Sequence, residues 1–135
     1  MGKGKLFYRS AKLVGACLMV ATFLHATLGT AEVITAIKTG GIMPSMISTL
    51  KNVWVFSSIM LFLSAVWVLF LAKDLGRLQR RAWWQGVFLG LGYTGGSIGA
   101  MLWAGVQVHL LAFALIGLVL LLPLLIWANA FKNSP

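Results

Sequence analysis

Residues 52–72 read NVWVFSSIMLFLSAVWVLFLA, and no charged side chain interrupts the stretch between Lys51 and Lys73. At a helical rise of about 1.5 Å per residue it reaches roughly 30 Å, the thickness of a bilayer's hydrocarbon core. Three more stretches share this character, giving candidate spans at about 13–37, 52–72, 82–104 and 108–131. In hydrocarbon every backbone amide and carbonyl must find its partner within the chain, and for runs this long that selects helices. Barrel strands alternate apolar and polar residues over about ten positions, and these runs do not. The sequence predicts an all-α membrane protein: one transmembrane domain over 1–135, built as a four-helix bundle.

The composition agrees. Hydrophobic residues make up 60% of the 135 residues and charged residues 10%, where soluble domains carry about 25% charged residues. Mean hydropathy is +0.94. A water-soluble globule of this size could not hide so much apolar surface. Ordinary soluble enzymes, disordered tails and secreted disulfide scaffolds are excluded. Cys17 is the single cysteine, so no internal disulfide can form.

The net charge of +9 would suggest nucleic acid in a soluble protein. Here the cations flank apolar runs, which points to lipid phosphates and the membrane potential instead. The first run follows Lys3, Lys5, Arg9 and Lys12 in the manner of a signal peptide. It is about twice as long as a normal signal core and lacks a small-x-small cleavage pattern, so it reads as a retained span.

With the N-terminus inside, Lys3, Lys5, Arg9, Lys12, Lys73, Arg77, Arg80, Arg81 and Lys132 share one side. Only Lys38 and Lys51 of the eleven cations face the other. The positive-inside rule then predicts cytoplasmic N- and C-termini, in what reads as a bacterial inner membrane. Trp54 and Trp103 fall near the outer interface, and Trp83, Trp84 and Trp127 near the inner one, as an aromatic belt requires.

Between Lys38 and Lys51, Thr39-Gly40-Gly41 predicts a helix end. Pro44 then suits the first turn of a new helix. Met43, Met46, Ile47 and Leu50 recur at helical spacing opposite Ser45, Ser48 and Thr49. This pattern predicts a short amphipathic helix on the outer leaflet. On the inner side, Arg77, Arg80 and Arg81 beside Trp83 and Trp84 form the expected contact with lipid headgroups. The short link around Gly105-Val106-Gln107 makes the third and fourth spans antiparallel neighbours.

The third span carries Gly86, Gly90, Gly92, Gly95, Gly96 and Gly99. Helices in lipid associate through close packing, and small residues let their backbones approach. These glycines cover more than one face, so they are expected to pack against two neighbouring helices of the chain, with one neighbour and another subunit as the alternative. Pro123 cannot donate to Val119 and predicts a mild kink in the fourth span.

Ionisable groups inside a bilayer are costly, and each one marks a candidate for function. Three qualify: His25 near the midplane, Glu32 in the outer half, and His109 near the outer interface. His25 and Glu32 lie seven residues apart, so a regular helix puts them on one face with Gly29. Antiparallel threading brings Tyr93 and Thr94 level with His25, and Ser57, Ser58, Ser97 and His109 level with Glu32. A carboxyl alone in hydrocarbon stays neutral, and one bonded to an imidazole can ionise. His25, Glu32, Tyr93 and His109 are therefore the candidates for ligand binding or proton relay.

No cofactor is assigned. The depth offset between His25 and His109 is about 15 Å by helical rise, too far for both to grip one haem. No close ligand spacing supports a metal. The acids Glu32 and Asp74 lie at opposite ends of the spans, which excludes paired-carboxylate catalysis.

Ala31-Glu32-Val33-Ile34, with Lys38 shortly after, resembles the first helix of the small multidrug resistance transporters. The likeness covers residues 31–38. In that family a first-helix glutamate exchanges protons for cationic substrates across a dimer of four-helix subunits. Chain length and helix count are similar here. The sequence departs from the family in having a mid-membrane His25, an outer-half Glu32, a longer N-terminus and a longer first loop.

Three functions are consistent with these residues. The first is a non-enzymatic accessory or packing subunit of a larger membrane assembly, holding a lipid, quinone or similar apolar ligand. The second is a proton-coupled transporter using Glu32. The third is a haem protein or small membrane enzyme using His25. The expected partners are membrane lipids and other membrane subunits or further copies of this chain. Nucleic acid is excluded.

Overall fold

The computed structural model describes residues 2–131. Lys132 lies outside the described residues. Within them the chain is all-helical and has no strand, and four helices are long and apolar enough to cross a membrane.

The first is a continuous rod of 37 residues, Lys3–Thr39. It consists of α1 (Lys3–Leu24), a π turn (His25–Gly29) and α2 (Thr30–Thr39). It ends as the sequence predicts: the Gly40 amide donates to the Ala36 carbonyl at 2.8 Å, and Gly41 takes a φ of +61°. Glycine adopts that left-handed geometry at little cost.

Helix α3 runs without a break over Pro44–Gly76. Pro44 lies in its first turn, where a missing amide proton costs nothing. The expected short amphipathic helix is therefore the first two turns of the second span. The physical reason is plain in the sequence: no glycine or proline lies between Ser45 and Leu75 to interrupt the helix. The connection from the first rod shrinks to residues 40–43, which also removes the longer first loop expected from sequence.

Helix α4 covers Arg80–Ala104, α5 covers Val108–Ile126, and a short 3-10 turn follows at Ala128–Phe131. The α3–α4 corner closes as a Schellman turn: Gln79 N–H donates to the Asp74 carbonyl and Leu78 N–H to that of Leu75. Leu78 occupies the left-handed position, with φ +62°.

The helices pair as two hairpins. In the first, α1 packs on α3, and a Cβ added at Gly15 would come within 2.6 Å of the Leu69 side chain. In the second, α4 packs on α5. There a Cβ on Gly86 would meet Leu124 at 2.7 Å, one on Gly90 would meet Leu121 at 2.8 Å, and one on Gly117 would meet Thr94 at 2.5 Å. Gly86 and Gly90 thus perform the close packing expected of them.

The hairpins join at one end. The core runs through Phe7, Ala11, Val14 and Leu18 of α1 and Ala65, Val68, Leu71, Ala72 and Leu75 of α3. From the second hairpin come Ala82, Val87, Leu89, Leu120, Leu121, Leu124 and Phe131. This is the end that carries the N-terminus and the basic α3–α4 corner, here called the basic end. The rings of Phe7 and Phe131 lie 4.9 Å apart, and those of Phe7 and Trp127 6.5 Å apart. Trp83 Nε1 donates to the Leu124 carbonyl at 2.8 Å. That carbonyl belongs to the last turn of α5, where intrahelical donors run out.

Burial fades toward the far end. No residue of α2 is buried, and the buried set of α3 begins only at Ala65. In α4 it stops at Ser97, and in α5 it begins at Ala114.

Candidate functional site

The polar residues of the first rod follow from its π turn. Thr27 within the widened turn and Thr30 just after it donate their hydroxyls to the carbonyls of Phe23 (2.7 Å) and Ala26 (2.8 Å). A π turn adds one residue to the winding, which rotates everything after it by roughly 100° relative to a regular helix. The shared face expected for His25 and Glu32 is lost in this way. His25 faces α3 and is half-buried, while Glu32 is exposed.

His25 is held from two sides by α3. Its Nε2 lies 3.1 Å from Ser57 Oγ. Its ring stacks on the Trp54 indole, with centroids 3.8 Å apart and planes 19° apart. Ser57 Oγ donates to the Trp54 carbonyl at 2.8 Å and, being so committed, can accept from the imidazole. Trp54 is fixed in turn. Its Nε1 donates to Thr30 Oγ1 at 3.0 Å, and its ring fills the space over Gly29, where a Cβ would come within 2.6 Å of Cζ2. Each buried-side polar atom thus has a partner.

Beyond His25 lies a cavity of about 270 Å³ between the two hairpins. His25, Ser57 and Leu61 form one wall. Gly92, Tyr93, Gly96, Ser97, Leu110 and Phe113 form the other. Tyr93 lies over Phe113 with centroids 6.0 Å apart, and its side chain also meets Ser64 of α3. Gly92 and Gly96 open onto free space, since a Cβ added at either would touch nothing within 4 Å. Lined by apolar groups with a few converging polar ones, this is the usual composition of a small-molecule site.

The sequence placed Tyr93 level with His25, and both line the cavity. Threading alone puts Ser57 and Ser97 level with Glu32. The structure puts Ser57 on His25 and Ser97 in the His25 cavity. Glu32 lines no part of the cavity, and neither does His109, which is exposed in the first turn of α5 beside the lining residue Leu110. Four of the six singled-out glycines also differ from expectation: Gly92, Gly95, Gly96 and Gly99 pack against nothing within the chain. Their helix has already passed the joint between the hairpins, so no neighbour is close enough to use them. Trp83 packs within the second hairpin, on Leu124 and Phe131, whereas Trp84 is 58% exposed.

Sequence reasoning missed Trp54, Leu61, Leu110 and Phe113. A signal existed for Trp54: it precedes Ser57 by three residues on a helix, so an aromatic surface and a hydroxyl share one face.

No known protein family, curated protein or solved structure matches this chain. Among the described residues, no group of three or more His, Cys, Asp or Glu side chains gathers as metal ligands.

Proposed function

We propose that this is a non-enzymatic membrane protein that binds an apolar, membrane-dissolved molecule with a hydrogen-bonding head, such as a quinone or a lipid, as an accessory subunit of a larger assembly. The carrying observation is the cavity that sets the His25–Ser57 pair opposite Tyr93. Imidazole, hydroxyl and phenol can each serve a carbonyl or hydroxyl of the ligand. The apolar walls suit a ring or the first carbons of a chain. The remainder of the ligand extends toward the far end, where the helices are exposed. The basic end faces the cytoplasm in this reading, as the distribution of Lys and Arg requires.

The transporter reading is weaker because its proton carrier, Glu32, stands outside the cavity. The haem reading is weaker because His25 Nε2 is engaged by Ser57 and the ring lies flat on Trp54.

The test uses the tryptophan built into the site. A short-chain benzoquinone added to the protein in lipid nanodiscs should quench part of the tryptophan emission saturably. That component should vanish in Trp54→Phe, and also in Gly96→Leu, whose side chain fills the cavity. Equal quenching of the wild type and Gly96→Leu would overturn the reading.

A further inference from the structure

A second hollow lies at the opposite end of the first hairpin, about 250 Å³ in volume. Gly4, Lys5 and Tyr8 of α1 line it, together with Lys73, Gly76 and Arg77 of the α3 end. Three cations therefore converge on one groove. The two glycines create it. A Cβ on Gly4 would collide with the Gly76 carbonyl oxygen, and one on Gly76 would lie 3.2 Å from Tyr8 Cβ. Helices α1 and α3 thus cross almost backbone to backbone, and the long basic side chains rise on either side of the crossing.

The backbone around the groove is also biased toward an anion. Lys3 and Gly4 are the first residues of α1, where amide protons lack intrahelical acceptors and the helix dipole is positive. At the opposing end of α3 the carbonyls of Lys73, Asp74 and Leu75 accept the amides of Arg77, Gln79 and Leu78, while the Gly76 carbonyl faces Gly4 at the crossing. A further cation stands close by, with Lys12 Nζ 5.6 Å from the centre of the Tyr8 ring. Asp74 is the only acid of α3 and does not line the groove.

We infer that this groove is a phosphate-binding site. A doubly or singly esterified phosphate matches the charge, and a groove of about 250 Å³ has room for the phosphate and the first atoms of its ester. Arg77 offers a planar fork for two phosphate oxygens, and Lys5 and Lys73 act as point charges on the remainder. The phosphate can belong to an anionic phospholipid headgroup or to a soluble ester. The sequence pointed to Arg77, Arg80 and Arg81 for headgroups. Of these the groove takes Arg77 and adds Lys5 and Lys73, which lie far apart in sequence and meet only because α1 crosses α3. This site is independent of the His25 cavity and stands or falls separately from it.

The experiment counts bound molecules by native mass spectrometry of the full chain in neutral detergent. Phosphatidylglycerol, phosphatidylcholine and glycerol 3-phosphate are titrated in turn. One phosphatidylglycerol should bind saturably and more tightly than phosphatidylcholine. Lys5→Gln, Lys73→Gln and Arg77→Gln should each weaken it about fivefold, the contribution typical of one interfacial cation. Lys3→Gln, a neighbouring cation outside the groove, should change it less than about twofold. Competition by glycerol 3-phosphate assigns the site to soluble esters, and binding of the lipid alone assigns it to headgroups. Equal weakening by Lys3→Gln, or the absence of saturable binding by any of the three phosphates, would overturn the inference. All four substituted side chains are exposed, so thermal unfolding should remain that of the wild type and exclude misfolding as the cause.

Discussion

The His25 imidazole lies flat on the Trp54 indole, 3.8 Å between ring centroids, while its Nε2 reaches Ser57 Oγ at 3.1 Å. One helical turn of α3 thus supplies both the surface and the hydrogen-bond partner that fix this ring. The two contacts should be energetically coupled. A double-mutant cycle of His25→Ala and Trp54→Ala, followed by thermal unfolding in detergent, should give an interaction of about 0.5–1.5 kcal/mol. Strict additivity would mean that the stacking contributes nothing.

The glycines of α4 should separate into two classes. Gly90→Ala forces a Cβ to within 2.8 Å of Leu121 Cβ, and such overpacking costs typically about 1–3 kcal/mol. Gly95→Ala meets nothing within 4 Å. It should be neutral or slightly stabilising, because alanine favours the helix by up to about 1 kcal/mol. Melting temperatures of the two variants, measured in the same detergent, check the split.

Adjacent tryptophans should behave differently. Trp83→Phe removes the donor to the Leu124 carbonyl and should destabilise the protein by about 1–3 kcal/mol. Trp84→Phe should lie within about 0.5 kcal/mol of the wild type, as an exposed substitution does. A larger loss at Trp84 than at Trp83 would contradict the placement of the two rings.

Glu32→Gln should leave both unfolding and quinone quenching unchanged, because the carboxyl is exposed and outside the cavity. Gly29→Val should act oppositely. Its side chain occupies the space of the Trp54 ring, so the tryptophan emission maximum should shift and quenching should fall.

The spans were legible because a bilayer imposes a length and a polarity on every segment that crosses it. The four apolar runs, the Gly40–Gly41 helix end and Pro44 in a first turn all follow from local chemistry. The level of Tyr93 relative to His25 followed from antiparallel threading. The phase of the first rod did not. Its π turn has no proline or charge to announce it, and a single added residue displaces Glu32 from the His25 face. Packing was equally hidden. The spacing of Gly92, Gly95, Gly96 and Gly99 is that of a packed face, yet whether a neighbour arrives depends on how two hairpins splay, which is set by residues as distant as Phe7 and Phe131.

The aromatic joint of Phe7, Trp83, Trp127 and Phe131 gives the molecule the mechanics of tongs. Grip is concentrated at the pivot, and the two arms can part at their tips without loosening it. Local opening should therefore cost least at the tips, and amide exchange is expected to rise from pivot to tip.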